Sequence, residues 1–389
     1  MLAIKLAFKN LFGAGLRTWL NVSVLSFAFV VIIFYNALLE GWNIQARTDT
    51  KNWQVGNGQY WHPEYDPYDP YTFQDAHQVL SPEVEGLIRE NKITPILVAQ
   101  ATIYPQGRMD NVVLKGIDPN QKILEIPGRW LDSAEDDVPA IIGKREAEAS
   151  HLKTGDRVTV RWRDRHGTFD AREVRITGVF DSNVPVIDNG SLWLSLTNLQ
   201  SMTGLNNEAT ILVTGKEVNA GKLKGWEFKD LKYLLSEINT IIKSKKAGAS
   251  VVYLLLLAIA LLAIFDTQVL SIFRRQREIG TYIALGMTRI QVVGLFTVEG
   301  GTHSILATLL GAIYGIPLLW WINKHGIVMP ASVDKMGMTV AQKMVPAYSI
   351  GLILSTIALV VLSSTIVSFL PARKITKMNP TDALKGKLQ

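Results

Sequence analysis

Residues 249–289 read ASVVYLLLLAIALLAIFDTQVLSIFRRQREIGTYIALGMTR, and the fold follows from how this stretch divides. Its first part, residues 249–273, is apolar apart from Asp266. A bilayer core about 30 Å thick takes roughly 20 apolar residues in a helix, so this run is long enough to span one. The pattern then breaks at Arg274, Arg275 and Arg277. A basic cluster directly after an apolar run marks a cytoplasmic boundary under the positive-inside rule.

Working outward, three further runs have the same character. Residues 22–39, 304–322 and 347–370 carry no charge, and the second of these extends back through Leu295, Phe296 and Glu299. The expected layout is a four-helix membrane protein with an α+β extracytoplasmic (periplasmic) domain between helices 1 and 2. The transmembrane helices are placed at 21–42, 249–273, 292–322 and 347–370. The extracytoplasmic domain is 43–248, the cytoplasmic link 274–291, the outer loop 323–346 and the cytoplasmic tail 371–389. Twelve basic residues fall on the assigned cytoplasmic flanks: Lys5, Lys9, Arg17, Arg274, Arg275, Arg277, Arg289, Arg373, Lys374, Lys377, Lys385 and Lys387. The short outer loop holds three, Lys324, Lys335 and Lys343. Both termini are therefore expected in the cytoplasm, with no cleaved signal peptide. In residues 1–20, Leu2, Ile4, Leu6, Phe8, Leu11 and Phe12 interleave with the basic residues, which suits a helix lying in the inner interface.

Charge divides the same way. Residues 40–248 hold 25 Lys/Arg and 29 Asp/Glu, whereas the remaining 180 hold 15 and 5. The net charge of +6 is thus the sum of an apolar frame at +10 and an ordinary domain at −4. The basic excess flanks membrane runs and makes no nucleic-acid patch. With no cysteine, disulfide scaffolds, thiolate zinc sites and thiol enzymes are excluded. Thirteen Phe, 11 Tyr and 10 Trp argue against disorder.

The inserted domain shows strand-like runs at 96–104, 111–116, 140–143, 157–163, 173–180, 192–196 and 210–214. Ser81-Pro82 opens one helix and residues 144–152 form another. From 228 to 248, Leu231, Leu235, Ile238 and Ile242 recur at helical spacing and lead into span two, which predicts a helical stalk. Residues 58–71, rich in Tyr and Pro, exclude regular helix or central strand. Asn189-Gly190 reads as a hairpin turn between two strands.

Catalytic signatures are missing from the sequence. The Gly-Lys pairs at Gly143, Gly215, Gly221 and Gly386 are followed by Arg145, Glu217, Leu223 and Leu388, so no phosphate-binding P-loop exists. There is no H-E-x-x-H, no metal-ligand spacing among His62, His77, His151, His166, His303 and His325, and no G-x-S-x-G. No metal site and no cofactor are expected on this chain. Ionisable groups inside spans are candidates by default, here Asp266, Glu299 and His303. Inter-helix or interfacial pairing is the favoured reading for them, with proton or ion coupling as the alternative.

Order and motifs together resemble the MacB/FtsX-type (type VII) ABC transporter permeases, and most of all the lipoprotein-releasing permeases. Arg274-Arg275-Gln276-Arg277-Glu278-Ile279-Gly280 with Ala284-Leu285-Gly286-Met287 is similar to the family segment R-R-x-R-E-I-G-x-x-x-A-L-G-M. Pro371-Ala372-Arg373-Lys374 with Pro380-Thr381-Asp382-Ala383-Leu384 resembles its closing motif. Ile141-Ile142-Gly143 through Leu152-Lys153-Thr154-Gly155-Asp156-Arg157-Val158 resembles a strand, helix and turn of its outer domain.

The resemblance implies a non-catalytic permease subunit of the inner membrane. Arg274, Arg275, Arg277, Glu278, Ile279, Gly280, Ala284, Leu285, Gly286 and Met287 would couple to a cytoplasmic ATPase dimer, with Ile279, Ala284, Leu285 and Met287 forming an exposed docking surface. ATP and Mg would bind on that partner. A second permease copy or paralogue, a lipid-anchored or amphiphilic substrate, and a periplasmic carrier or effector are the other implied partners. Residues 58–65 (GQYWHPEY) resemble the lipoprotein-releasing stretch after span one, with Gln59 where histidine is usual. The long hook that recruits a carrier is replaced by a short turn at 164–171. Alternatives are a signalling permease that activates a cell-wall hydrolase and a drug or peptide efflux permease.

Overall fold

The computed structural model describes residues 16–132, 137–216, 221–328 and 343–377. The interfacial helix expected at the amino terminus lies outside these residues up to position 15, as do most of the outer loop and the tail from 378. The chain divides into two compact units. One contains the apolar helices; the other runs from Asn43 to Ile241.

In the first unit, four helices among the described residues are long and apolar enough to cross a membrane. Span one lies in the helix Leu16–Thr50, span two in Ser236–Arg274, span three in Arg289–His325 and span four in Ile350–Ala372. The first three helices overrun their apolar runs, whereas the fourth begins inside its run, at Ile350, after the Ser349 cap. Span two is 39 residues without a break, about 58 Å at 1.5 Å per residue. Leu25, Phe29, Ile32, Leu257, Ile264, Ala307 and Val360 close the bundle core. Near contact comes from small residues, as is usual where lipid removes the hydrophobic drive between helices. Gly311 and Gly315, four apart on span three, face Phe29 and Val30 of span one. Polar ties add direction: Ser26 donates to the Tyr314 hydroxyl at 3.0 Å, and the Asn21 amide reaches Thr267 and the Ala263 carbonyl.

The second unit is built on nine strands: β1 (Gln59–Trp61), β3 (Ile93–Ile103), β4 (Asp110–Ile117), β5 (Val138–Gly143), β6 (Arg157–Arg163), β7 (Phe169–Phe180), β8 (Ser191–Ser195), β10 (Ile211–Thr214) and β11 (Glu227–Lys229). A separate short pair joins β2 (Gln78–Val79) to β9 (Glu208–Ala209). The main order is β11-β1-β10-β3-β4-β8-β5-β7-β6, and β6 pairs back onto β3 through Ala101, Thr102 and Ile103. Six strands therefore close into a ring, and β10, β1 and β11 extend from the other half of β3. Closure removes the exposed edges that invite unwanted pairing. β4–β8 and β5–β7 are parallel, and the two central strands β5 and β8 are buried along their whole length. Both faces are buried: Leu192 and Leu194 lie in one core, Trp193 between them in the other. The indole of Trp193 donates to Ile187 and that of Trp162 to Met202, so neither polar edge is orphaned.

The structure overturns three sequence expectations. Gln59–Trp61 is an interior strand, paired on both sides by β10 and β11. The prolines begin only at Pro63, after it ends. The stalk does not begin at 228: residues 227–229 are β11, and Leu231–Leu234 is a separate short helix capped by Asp230. Phe228 packs on Tyr60 at 4.9 Å between ring centroids, which holds this segment in the sheet, and the unbroken helix starts at Ser236. Finally, Asn189-Gly190 is no hairpin. The short helix Pro185–Asp188 precedes it, and β5 lies between β7 and β8. Gly190 has φ +67°, so the glycine is required by the turn itself.

Candidate functional site

The arginine-rich segment after span two folds as an elbow. Arg275 breaks the helix with φ −105° and ψ 21°, a short helix runs Gln276–Ala284, and Gly286 at φ +98° turns the chain in the left-handed region. Thr288 opens span three. Its hydroxyl accepts from the Gln291 N–H, and the Gln291 side chain accepts from the Thr288 N–H, a reciprocal cap.

Burial sorts the predicted coupling residues into two groups. Ile279 is 0% exposed and, with Phe296, Val292, Val293, Ile272, Ala372 and Ile375, forms a core that ties the elbow to spans three and four. Gly280 is buried and Met287 packs against that core. Ile279 and Met287 therefore do not make the exposed surface expected of them: an apolar face at 279, 282 and 283 is used internally. Arg274, Arg277, Glu278, Ala284, Leu285 and Gly286 are exposed, and Leu285 is 79% so. Ile290, 78% exposed, was missed by the motif reading because it sits just past the motif's end.

Arg275 is set apart from its neighbours. Its Nη1 donates to both Glu299 oxygens at 2.8 and 2.9 Å, and its Nε to Glu278 Oε2 at 2.7 Å. The guanidinium also lies 4.9 Å from the Phe296 ring centroid. Burial works against its charge, but the Glu299 and Glu278 carboxylates hold its pKa above the usual value. Arg289 reaches the Thr376 carbonyl at 2.7 Å and so fastens the residues after span four.

The three intramembrane candidates have different fates. Glu299 is buried and turned toward Arg275. The His303 ring is buried and bonds the Glu299 backbone carbonyl at 3.0 Å, so these two residues share a face without pairing side chain to side chain. Asp266 lies on the exposed side of span two, in line with Leu262 and Leu270. Sequence reading passed over Gln268, which is 2% exposed and lies beside Gly300 and Ser368. Its type was the available signal: a buried amide in an apolar helix is costly to leave unpaired, though less so than a buried charge. Among the described residues, no group of three or more His, Asp or Glu could hold a metal ion.

The family profile for the MacB-like periplasmic core domain matches residues 18–223, and that for the FtsX-like permease C-terminal region matches residues 250–380. The chain belongs to the MacB/FtsX class of ABC transporter permeases. Among its relatives is the lipoprotein-releasing system transmembrane protein LolC of Neisseria meningitidis, 21% identical over 75% of this chain and 77% of LolC. An uncharacterized ABC transporter permease of Methanocaldococcus jannaschii is 24% identical over 67% of this chain and 65% of its own. The macrolide export ATP-binding/permease protein MacB of Burkholderia lata is 29% identical over 38% of this chain, a match that covers 20% of MacB.

Proposed function

We propose that this chain is the permease subunit of an ATP-driven mechanotransmission transporter that extracts lipoproteins, or similar lipid-anchored molecules, from the outer leaflet of the inner membrane. A separate cytoplasmic ATPase dimer supplies ATP hydrolysis and docks on the elbow, and a second permease copy or paralogue completes the assembly. Both termini and the elbow then lie in the cytoplasm. The observation that carries the reading is the unbroken Ser236–Arg274 helix, which runs directly into the elbow and can carry a push from one end to the other. The LolC relationship, over three quarters of the chain, supports the choice of substrate class. The β6–β7 connection is a tight turn in which Asp164 N–H donates to the Thr168 carbonyl, which supports a subunit that does not itself recruit a carrier by that hairpin.

Docking is expected to centre on Leu285. Leu285→Glu should abolish co-purification of the ATPase from mild detergent, while the permease still inserts and elutes as a single species, because the side chain contributes nothing to the elbow core. Retention of the ATPase at the parent level by this variant would sink the docking reading. For the substrate, mass spectrometry of the native complex should find lipidated protein. Recovery of a cell-wall hydrolase and no lipoprotein would instead establish a signalling permease.

A further inference from the structure

We infer that Arg275, despite its place in the docking motif, is a positioning residue: it pins the elbow helix to span three through Glu299, so that movement of the elbow is delivered to span three. The inference rests on the coupling reading above for its purpose, but its geometry is independent of it.

The three arginines of the motif are not alike. Arg274 and Arg277 are exposed, as a docking or headgroup contact requires, whereas the Arg275 side chain is only 18% exposed. The Glu299 side chain is 9% exposed. Two bonds from Nη1 to the Glu299 carboxylate, a third from Nε to Glu278 and the Phe296 ring leave the guanidinium little freedom. Beside it, the elbow helix meets span three through apolar packing: Ile279, Tyr282 and Ile283 share a cluster with Val292, Val293 and Phe296. Such packing is non-directional and tolerates sliding or rotation of the elbow. The ion pair fixes the angle. The pin sits at the helix break, where a small rotation of the elbow would otherwise be absorbed by the backbone of residue 275 instead of moving span three. A glutamate ten residues into span three is costly without a partner, and Arg275 is the partner that the structure supplies.

The chain has no cysteine, so two spin labels can be introduced cleanly. Thr281→Cys on the elbow and Leu309→Cys on span three are both at exposed positions. In the full-length permease reconstituted alone in nanodiscs, pulsed electron resonance should give one narrow distance. Glu299→Gln and Arg275→Lys should each broaden and shift it, since glutamine has no charge and lysine has one nitrogen in place of the Nη1 and Nε that hold Glu299 and Glu278 separately. The swap Arg275→Glu/Glu299→Arg should restore the narrow distance, which a merely space-filling role for either residue would not produce. Should Glu299→Gln fail to insert, Arg275→Lys reads the same pin. A parent-like distance in Arg275→Lys overturns the inference, whatever becomes of the ATPase. With the ATPase bound, Arg275→Lys should lose any nucleotide-dependent change in the label distance that the parent shows. Loss of ATPase binding in this variant would place Arg275 in the docking contact and overturn the pin. A parent permease that never binds an ATPase sinks only the coupling reading.

Discussion

Gly300→Leu should prevent the spans from packing, with loss of monodisperse protein in mild detergent and of any cooperative thermal transition. A methyl group added at Gly300 would lie 2.1 Å from Ser368 Oγ and 2.3 Å from its Cβ, with Gln268 Nε2 at 3.0 Å. Ser368 is fully buried and Gln268 nearly so, so neither can swing away. Overpacking by single methylenes costs about 1–3 kcal/mol, and leucine adds four carbons at a site with no room for one. Gly294→Leu and Gly351→Leu are the controls, since nothing lies within 4 Å of either added carbon. There the gain in helix propensity, roughly 0.8–1 kcal/mol, should leave stability equal or slightly higher. If Gly300→Leu melts with the controls, the close approach of spans two, three and four is wrong.

That contrast also shows where the sequence was legible. Existence and number of spans followed from run length alone, because in lipid the solvent imposes the rule and little else can override it. Which glycine is packed and which faces out did not follow, since Gly294, Gly300 and Gly301 look alike until span four is placed beside them. In the inserted domain, the seven long strands were visible from apolar runs. Gln59–Trp61 was not, because three residues beside a proline-rich loop carry no periodicity, and β11 was hidden by an accidental helical spacing of Leu231 with Leu235. Long-range pairing made both into strands: Gln59–Trp61 pairs with β10 on one side and with β11 on the other.

The candidate site was legible as a motif and illegible as a surface. The elbow was expected at 274–291, but a one-dimensional pattern cannot say which face of a nine-residue helix turns inward. Ile279 was expected in the docking surface with Ala284, Leu285 and Met287, as an apolar residue in a charged segment. The same property made it the best core residue once Phe296 and Ile375 were within reach. Glu299 and Arg275 were noticed separately, and only the fold joins them across 24 positions.

Arg145→Met should destabilise the inserted domain by about 3–5 kcal/mol at pH 7.5, and the deficit should shrink on acidification toward pH 5. Arg145 donates to Asp188 Oδ2 at 2.6 Å and to the Ser182 carbonyl at 2.9 Å, while Asp188 is 0% exposed. Burial pushes the Asp188 carboxyl up to about 6, against the lowering effect of Arg145. Its folded pKa therefore stands above its ordinary value of 3.8. The folded state binds the extra proton between those pH values, so the contribution of this group is fully present below the ordinary value and fades as pH rises through the folded one. Removing Arg145 deletes the lowering influence, drives the folded pKa further up and widens that window toward neutrality. Thermal unfolding followed by tryptophan fluorescence at pH 5 and 7.5 reads the effect. An Arg145→Met/Asp188→Asn double variant, with no charge left to bury, should recover part of the loss and show a flat pH response. Equal deficits for Arg145→Met at both pH values would mean that the packing of the arginine stem, and not the stranded carboxylate, sets the cost. The alternative matters because Asp188 is wedged against Gly143, where an added methyl would sit 1.9 Å from its Oδ1. A carboxylate held that tightly cannot turn to water when its partner is lost, so protonation is the relief left to it.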